Sequence, residues 1–172
     1  RLAGSFQALA NSVDCRDVIG LDPSAPSLTP ALLTPGGPIR CFGNAAIYPQ
    51  TAFGDINATF AGQSDEAPAA PVSCAALLAR KLGASDLHAT MAAGLAGGIG
   101  LGGGGCGALG VALWLTEVNT IKAGGKTAFI NPRSARTIER FLGASNREFE
   151  CAKIVGRRLT GLADHADYLS GG

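Results

Sequence analysis

The sequence predicts an all-α fold: a small helical bundle with a Gly-rich loop, preceded by a long Pro-rich irregular arm. Three observations carry this. Helix start and stop signals recur from Ser73 onward, eight of the nine prolines fall between residues 23 and 71, and 30 alanines with 25 glycines make up nearly a third of the 172 residues. Proline removes a backbone donor and interrupts helices, whereas small side chains let helices approach closely. The glycines follow no Gly-X-Y period, which rules out a collagen-like chain.

In order, residues 2–12 read as one short helix. The arm, residues 1–72 as a unit, is then irregular from about 15 to 72, with at most short strands at Ile39–Phe42 and Asn57–Phe60. A loop of that length in a small domain is expected to wrap something or to be partly mobile. Ser73 caps a helix beginning at Cys74 and stopped by Gly83. Ser85 caps a second, to about Ala96, and a third runs from near Cys106 through Trp114 towards Val118, where Trp114 fills core. Asn131 followed by Pro132 is a cap with proline at the first helical position, opening a helix that ends at Gly143. Ser145 or Asn146 caps the next, with Phe149, Ile154, Val155 and Leu159 at helical spacing and Gly161 as its stop. A last short helix holds His165 and Tyr168. Residues 73–172 thus form a helical domain with the cysteines in it.

Composition excludes several function classes. The net charge is +1 and aromatic residues are 6%. That leaves neither the dense basic face nor the stacking surface that nucleic acid requires. Met91–Leu115 is 25 residues without a charge, but ten are glycine. Each glycine costs about 1 kcal/mol in a helix interior, against a gain of about 0.3 to 0.6 kcal/mol per Leu, Ile or Val on insertion, so a membrane span is not favoured. Gly98–Gly103 matches GxGxxG, but the residues before it read as helix, not strand, so no nucleotide is expected. The absence of CxxCH excludes covalent haem, and no CxxC pair or GxSxG elbow occurs. A basic C-terminal face (Arg133, Arg136, Arg140, Arg147, Arg157 and Arg158) suits an acidic partner or a solvated helix surface. The first residue is Arg1, so any export signal is expected to have been removed, and the compartment stays open between exported and cytoplasmic.

Five cysteines, an odd number, cannot all pair within one chain. Cys106 is the most informative. It follows Gly102–Gly105 and opens a helix, where unpaired N–H groups and the positive dipole end favour a thiolate. Cys74 also sits at a helix start, and Cys151 lies inside a helix between Glu150 and Lys153. Gly104, Gly105 and Gly107 would let backbone approach the sulfur, or a cofactor on it, without Cβ clashes.

Cys74, then Gly105-Cys106-Gly107-Ala108-Leu109-Gly110, then Cys151, resembles the redox-active C_GCAxxG_C_C family, a small prokaryotic helical domain named for four separated cysteines. The Gly94–Gly100 segment, Ile138–Phe141 and His165–Gly172 are similar to the family's flanking parts, so the resemblance covers about residues 72–172. Gly107 stands where the family motif has alanine. The family's fourth cysteine follows the final Gly-Gly, where this sequence stops, so the terminus is cut or Cys41, Cys15 or His165 substitutes. The resemblance implies cysteine redox or electron-transfer chemistry with a redox partner protein. The centre is either a dithiol/disulfide or an iron–sulfur cluster on Cys74, Cys106 and Cys151 with Cys41 or His165. The competing expectation is a non-enzymatic accessory subunit of a larger assembly or a homo-oligomer, membrane-associated in one version.

Overall fold

The computed structural model describes residues 2–20, 36–62, 73–128 and 131–171. These are helical, with a single isolated β-bridge, and the chain divides into two units, Arg1–Ala67 and Pro68–Gly172.

In the first unit, α1 (Leu2–Ala10) is the expected short helix. α2 (Cys15–Ile19) starts at Asp14, whose carboxylate accepts from the Arg16 N–H at 3.0 Å, and ends at Gly20 with φ 70°. The expectation of an irregular arm fails at α3 (Gly37–Phe60), a helix of 24 residues that absorbs both expected strands. The reason lies in where the prolines fall. Pro38 occupies the first turn, where no N–H is missed; Pro49 removes one interior bond, which packing on α1 offsets. Phe6 meets the Tyr48 ring edge-on at 5.0 Å, and the Tyr48 hydroxyl donates to the Leu2 carbonyl at 2.6 Å. The other six prolines of the expected arm (Pro23, Pro26, Pro30, Pro35, Pro68 and Pro71) lie outside the described residues.

The second unit follows the capping signals closely. Ser73 Oγ accepts from the Ala76 N–H at 3.0 Å and opens α4 (Cys74–Lys81). Ser85 opens α5 (Asp86–Ala93), which stops three residues short of expectation because the glycine turns begin at Gly94. α6 (Gly107–Lys122) carries Trp114 and packs on α4. Asn131 Oδ1 accepts from the Arg133 N–H at 2.8 Å to start α7 (Pro132–Ala144), which packs against α6. The expected long helix after Ser145 is instead α8 (Cys151–Val155), cut by Gly156 with φ 81°. Leu159 is buried beyond it, and Gly161 precedes α9 (Leu162–Ser170) rather than ending α8. Among the described residues no helix is long and apolar enough to cross a membrane. The uncharged run is divided between α5, a glycine loop and α6.

Small residues make the core. Ala75, Ala79, Ala89, Ala92 and Ala96 join Val111 and Leu115, with Leu78, Leu95, Trp114 and Cys74 packed against them. Trp114 meets the His88 ring edge-on at 5.4 Å, so this histidine is a packing residue, oriented by Ser85 Oγ at 3.1 Å from Nδ1. Alanine faces bring helix axes close, and two glycines let backbone come closer still. A Cβ on Gly98, where φ is 80°, would stand 2.5 Å from the Gly104 nitrogen. A Cβ on Gly107 would run into the Leu95 carbonyl oxygen. That contact is the reason position 107 requires glycine. The Gly107→Ala variant should lose about 1–2 kcal/mol of stability in urea unfolding, because a clash with backbone costs about 2–3 kcal/mol, the upper part of the overpacking range, and the helix-propensity gain returns at most about 1. A variant as stable as the parent would show that α6 can shift away from Leu95.

Candidate thiol site

Three local structures bring the cysteines of the second unit together. Cys74 is the first residue of α4, which the Ser73 cap fixes. Cys106 is the residue from which α6 springs, with backbone angles of −59° and 120°. Cys151 is the first residue of α8. The last two are tied across a short antiparallel bridge between Gly105 and Glu150. The Cys106 N–H donates to the Phe149 carbonyl at 2.7 Å, the Cys151 N–H to the Gly104 carbonyl at 2.7 Å, and the Ala152 N–H to the Gly103 carbonyl at 3.0 Å. Gly105 and Glu150 therefore face one side of the bridge, and Cys106 and Cys151 the other, as diagonal neighbours. Such neighbours have α-carbons about 7–8 Å apart.

Glu148 shapes the Cys151 side. Its Oε1 accepts from the N–H groups of Phe149 and Glu150 at 2.8 and 2.9 Å, which holds its carboxyl below the usual carboxylate range. Lys153 reaches both Glu150, at 2.7 Å, and Glu148, at 3.7 Å. On the other side the Gly97 backbone hydrogen-bonds to the Cys74 thiol, so the glycine loop touches α4 as well as α8.

The electrostatics differ from the expectation of thiolates stabilised at helix starts. Burial pushes the Cys74 thiol up; the Gly97 bond opposes this, and repulsion from Cys106 adds to it. Cys151, only 8% exposed, is likewise raised by burial, then by Cys106 and then by Cys74. Desolvation wins at both sites over any favour from the helix ends. Cys106 is half-buried, and its side chain makes no capping bond to α6, so its sulfur does not sit among the helix N–H groups as the glycine pattern predicts. The three thiols are thus neighbours that repel when ionised. Each of the two raised thiols feels Cys106 more strongly than it feels the other.

The wider ligand set does not assemble. Among the described residues, no group of three or more His, Cys, Asp or Glu side chains is gathered as a metal ion requires. Cys74, Cys106, Cys151, Cys41 and His165 therefore do not fit an iron–sulfur cluster as they stand, and no step is derived through one. Cys15 and Cys41 are exposed on α2 and α3 of the first unit. Gly104 and Gly105 spend their backbone on the bridge, and Gly107 on the contact with Leu95. Glu148, Phe149 and Gly97 were not legible as site residues, since two act through backbone groups that carry no side-chain signature. Compared with protein-family models, with curated proteins and with solved structures, the chain matches none.

His165 stands apart. It is 1% exposed on α9, and its Nδ1 is buried without a hydrogen-bond partner. Burial depresses its pKa below the ordinary 6.5, partly opposed by the neighbouring Asp164 carboxylate. Asp164 is itself held far below the carboxylate range by Arg157 at 2.6 Å and by the Thr160 N–H and hydroxyl at 2.7 and 2.9 Å. The folded state keeps His165 neutral, so the unfolded chain binds a proton that the folded chain refuses. The stability this contributes is complete above pH 6.5 and is lost as pH falls through the depressed folded value. Melting curves from pH 7.5 down to about pH 5 should show this loss, and His165→Gln should flatten it. An unchanged slope in the variant would assign the acid sensitivity to other groups.

Proposed function

We propose that the second unit is a thiol–disulfide redox module in which Cys106 exchanges between Cys74 and Cys151. The observation that carries the reading is the placement of three thiols at the starts of three helices, with Cys106 and Cys151 tied on one side of the Gly105–Glu150 bridge. In the reducing direction the Cys106 thiolate attacks one sulfur of a partner protein's disulfide, and the other sulfur leaves as a thiolate. The thiol of Cys74 or Cys151 then loses its proton and attacks Cys106, expelling the second partner sulfur. Two electrons pass to the partner disulfide, which becomes two thiols, and one disulfide forms within the chain.

Two features suit this work. The raised pKa values of Cys74 and Cys151 leave those two thiols without the thiolate stabilisation that makes a couple strongly oxidising, which supports a reducing role. The diagonal spacing of Cys106 and Cys151 is slightly wider than a relaxed disulfide spans, and the glycine loop supplies the small backbone shift that closure needs.

The test uses the full chain with Cys15→Ser and Cys41→Ser, equilibrated in glutathione redox buffers and mapped by peptide mass. One intramolecular disulfide should form, with Cys106 in every oxidised species and a midpoint nearer about −270 mV than about −120 mV. Cys106→Ser should abolish the Cys106 pairings and slow reduction of a model protein disulfide by at least about tenfold, the scale of losing a positioned nucleophile. Three thiols that stay reduced across the series, or a Cys74–Cys151 pair that forms equally well without Cys106, would overturn the reading.

A further inference from the structure

α3 carries a second apolar face that the described helices of its own unit leave uncovered. Its inner side, through Tyr48, packs on α1. A different side presents Ile39, Phe42, Ala46, Pro49, Phe53, Ile56 and Phe60, at alternating spacings of three and four residues. At 100° per residue this stripe lies roughly 130° around the helix from Tyr48. Ile39 is 74% exposed, Phe42 73%, Phe53 65% and Phe60 66%; Ala46 and Pro49 are exposed and Ile56 half-buried. Alternation of three and four is the seam spacing of paired helices, and a solvated surface gives no reason for it.

We infer that α3 pairs with α3 of a second copy of this chain, antiparallel, about a two-fold axis passing between Ala46 and Pro49. Three observations choose this occupant. Between Ile39 and Ile56 the stripe is self-complementary: read forward it runs Ile39, Phe42, Ala46, and read backward it runs Ile56, Phe53, Pro49, with the same spacings, while Phe60 lies beyond these six mirrored positions. An antiparallel copy therefore sets Phe42 against Phe53 and Ile39 against Ile56 in both halves, with the small Ala46 and Pro49 at the crossing. This is the isologous arrangement a two-fold axis demands. Second, the positions flanking the stripe are Gly43, Gln50 and Asn57 on one side and Ala45, Ala52 and Thr59 on the other. None is charged, so identical copies meet no repulsion and no charge code selects a different helix. Third, the exposed parts of these side chains amount to roughly 600 Å² per copy, on the scale of 150–250 Å² per aromatic. Two copies would bury about 1,200 Å², the lower edge of specific interfaces.

Sedimentation equilibrium of the full chain in reductant, which prevents Cys15 and Cys41 from cross-linking copies, should show monomer passing to dimer through the micromolar range. Phe42→Glu with Phe53→Glu places like charges opposite each other in both halves, and should weaken dimerisation at least about a hundredfold, the scale set by losing hot-spot aromatics. Because both positions are exposed, helix content by circular dichroism should not change. Phe42→Lys with Phe53→Glu places opposite charges across the axis in the antiparallel pairing only, and should recover dimer. A wild type that stays monomeric at all concentrations overturns the proposal and assigns the face to another occupant. A dimer that survives both glutamates overturns it in favour of another surface. Failure of the Lys/Glu variant where wild type dimerises overturns the antiparallel register. None of these outcomes touches the thiol chemistry, whose cysteines lie in the other unit.

Discussion

Backbone meeting backbone is the contact on which the second unit depends. The carbonyls of Gly103 and Gly104 receive the N–H groups of Ala152 and Cys151, and the Cys106 N–H reaches Phe149, so segments far apart in sequence are stitched without any side chain between them. Only a tract without β-carbons permits this, because Gly98 already lies against Gly104 and Gly107 against Leu95. From that stitching come the start of α6, the placement of α8, and the sharing of one neighbourhood by Cys74, Cys106 and Cys151. A side chain inserted at either close approach would disturb the helix origins and the sulfurs together.

Packing and reactivity pull in opposite directions at these sulfurs. Helix starts favour anions by a few tenths to about one kcal/mol at exposed sites, but withdrawing a thiol from water disfavours its ionised form more strongly once the group is largely covered. Cys74 lies against an alanine core and Cys151 beneath the bridge, so both carry their protons further into alkaline conditions than a free thiol does. Either of these two sulfurs must lose its proton before it can attack, which lowers its reactivity toward oxidants and electrophiles.

The helical class, the caps at Ser73, Ser85 and Asn131, and the last helix around His165 were legible because each rests on a local rule: a short polar side chain bonding the first turn, or a glycine or proline at its end. The long helix α3 was not, since two prolines read as breakers when one sits harmlessly in the first turn and the other is carried by packing on Tyr48. The bridge between Gly105 and Glu150 left no trace in the pattern either; pairing through backbone alone has no period and no preferred side chain. Proximity of the cysteines was an expectation of the family resemblance alone, whereas the sign of the Cys74 and Cys151 pKa shifts required knowing how much water each had lost.

The alanine core has one further consequence. A methyl group hides little hydrocarbon from water, so unfolding the second unit newly hydrates less apolar surface per residue than a core of leucine and phenylalanine would. The heat-capacity increment of unfolding, which scales with that surface, is correspondingly small. Stability then varies gently with temperature: a broad, shallow curve in which cold weakens the fold little and warming erodes it gradually.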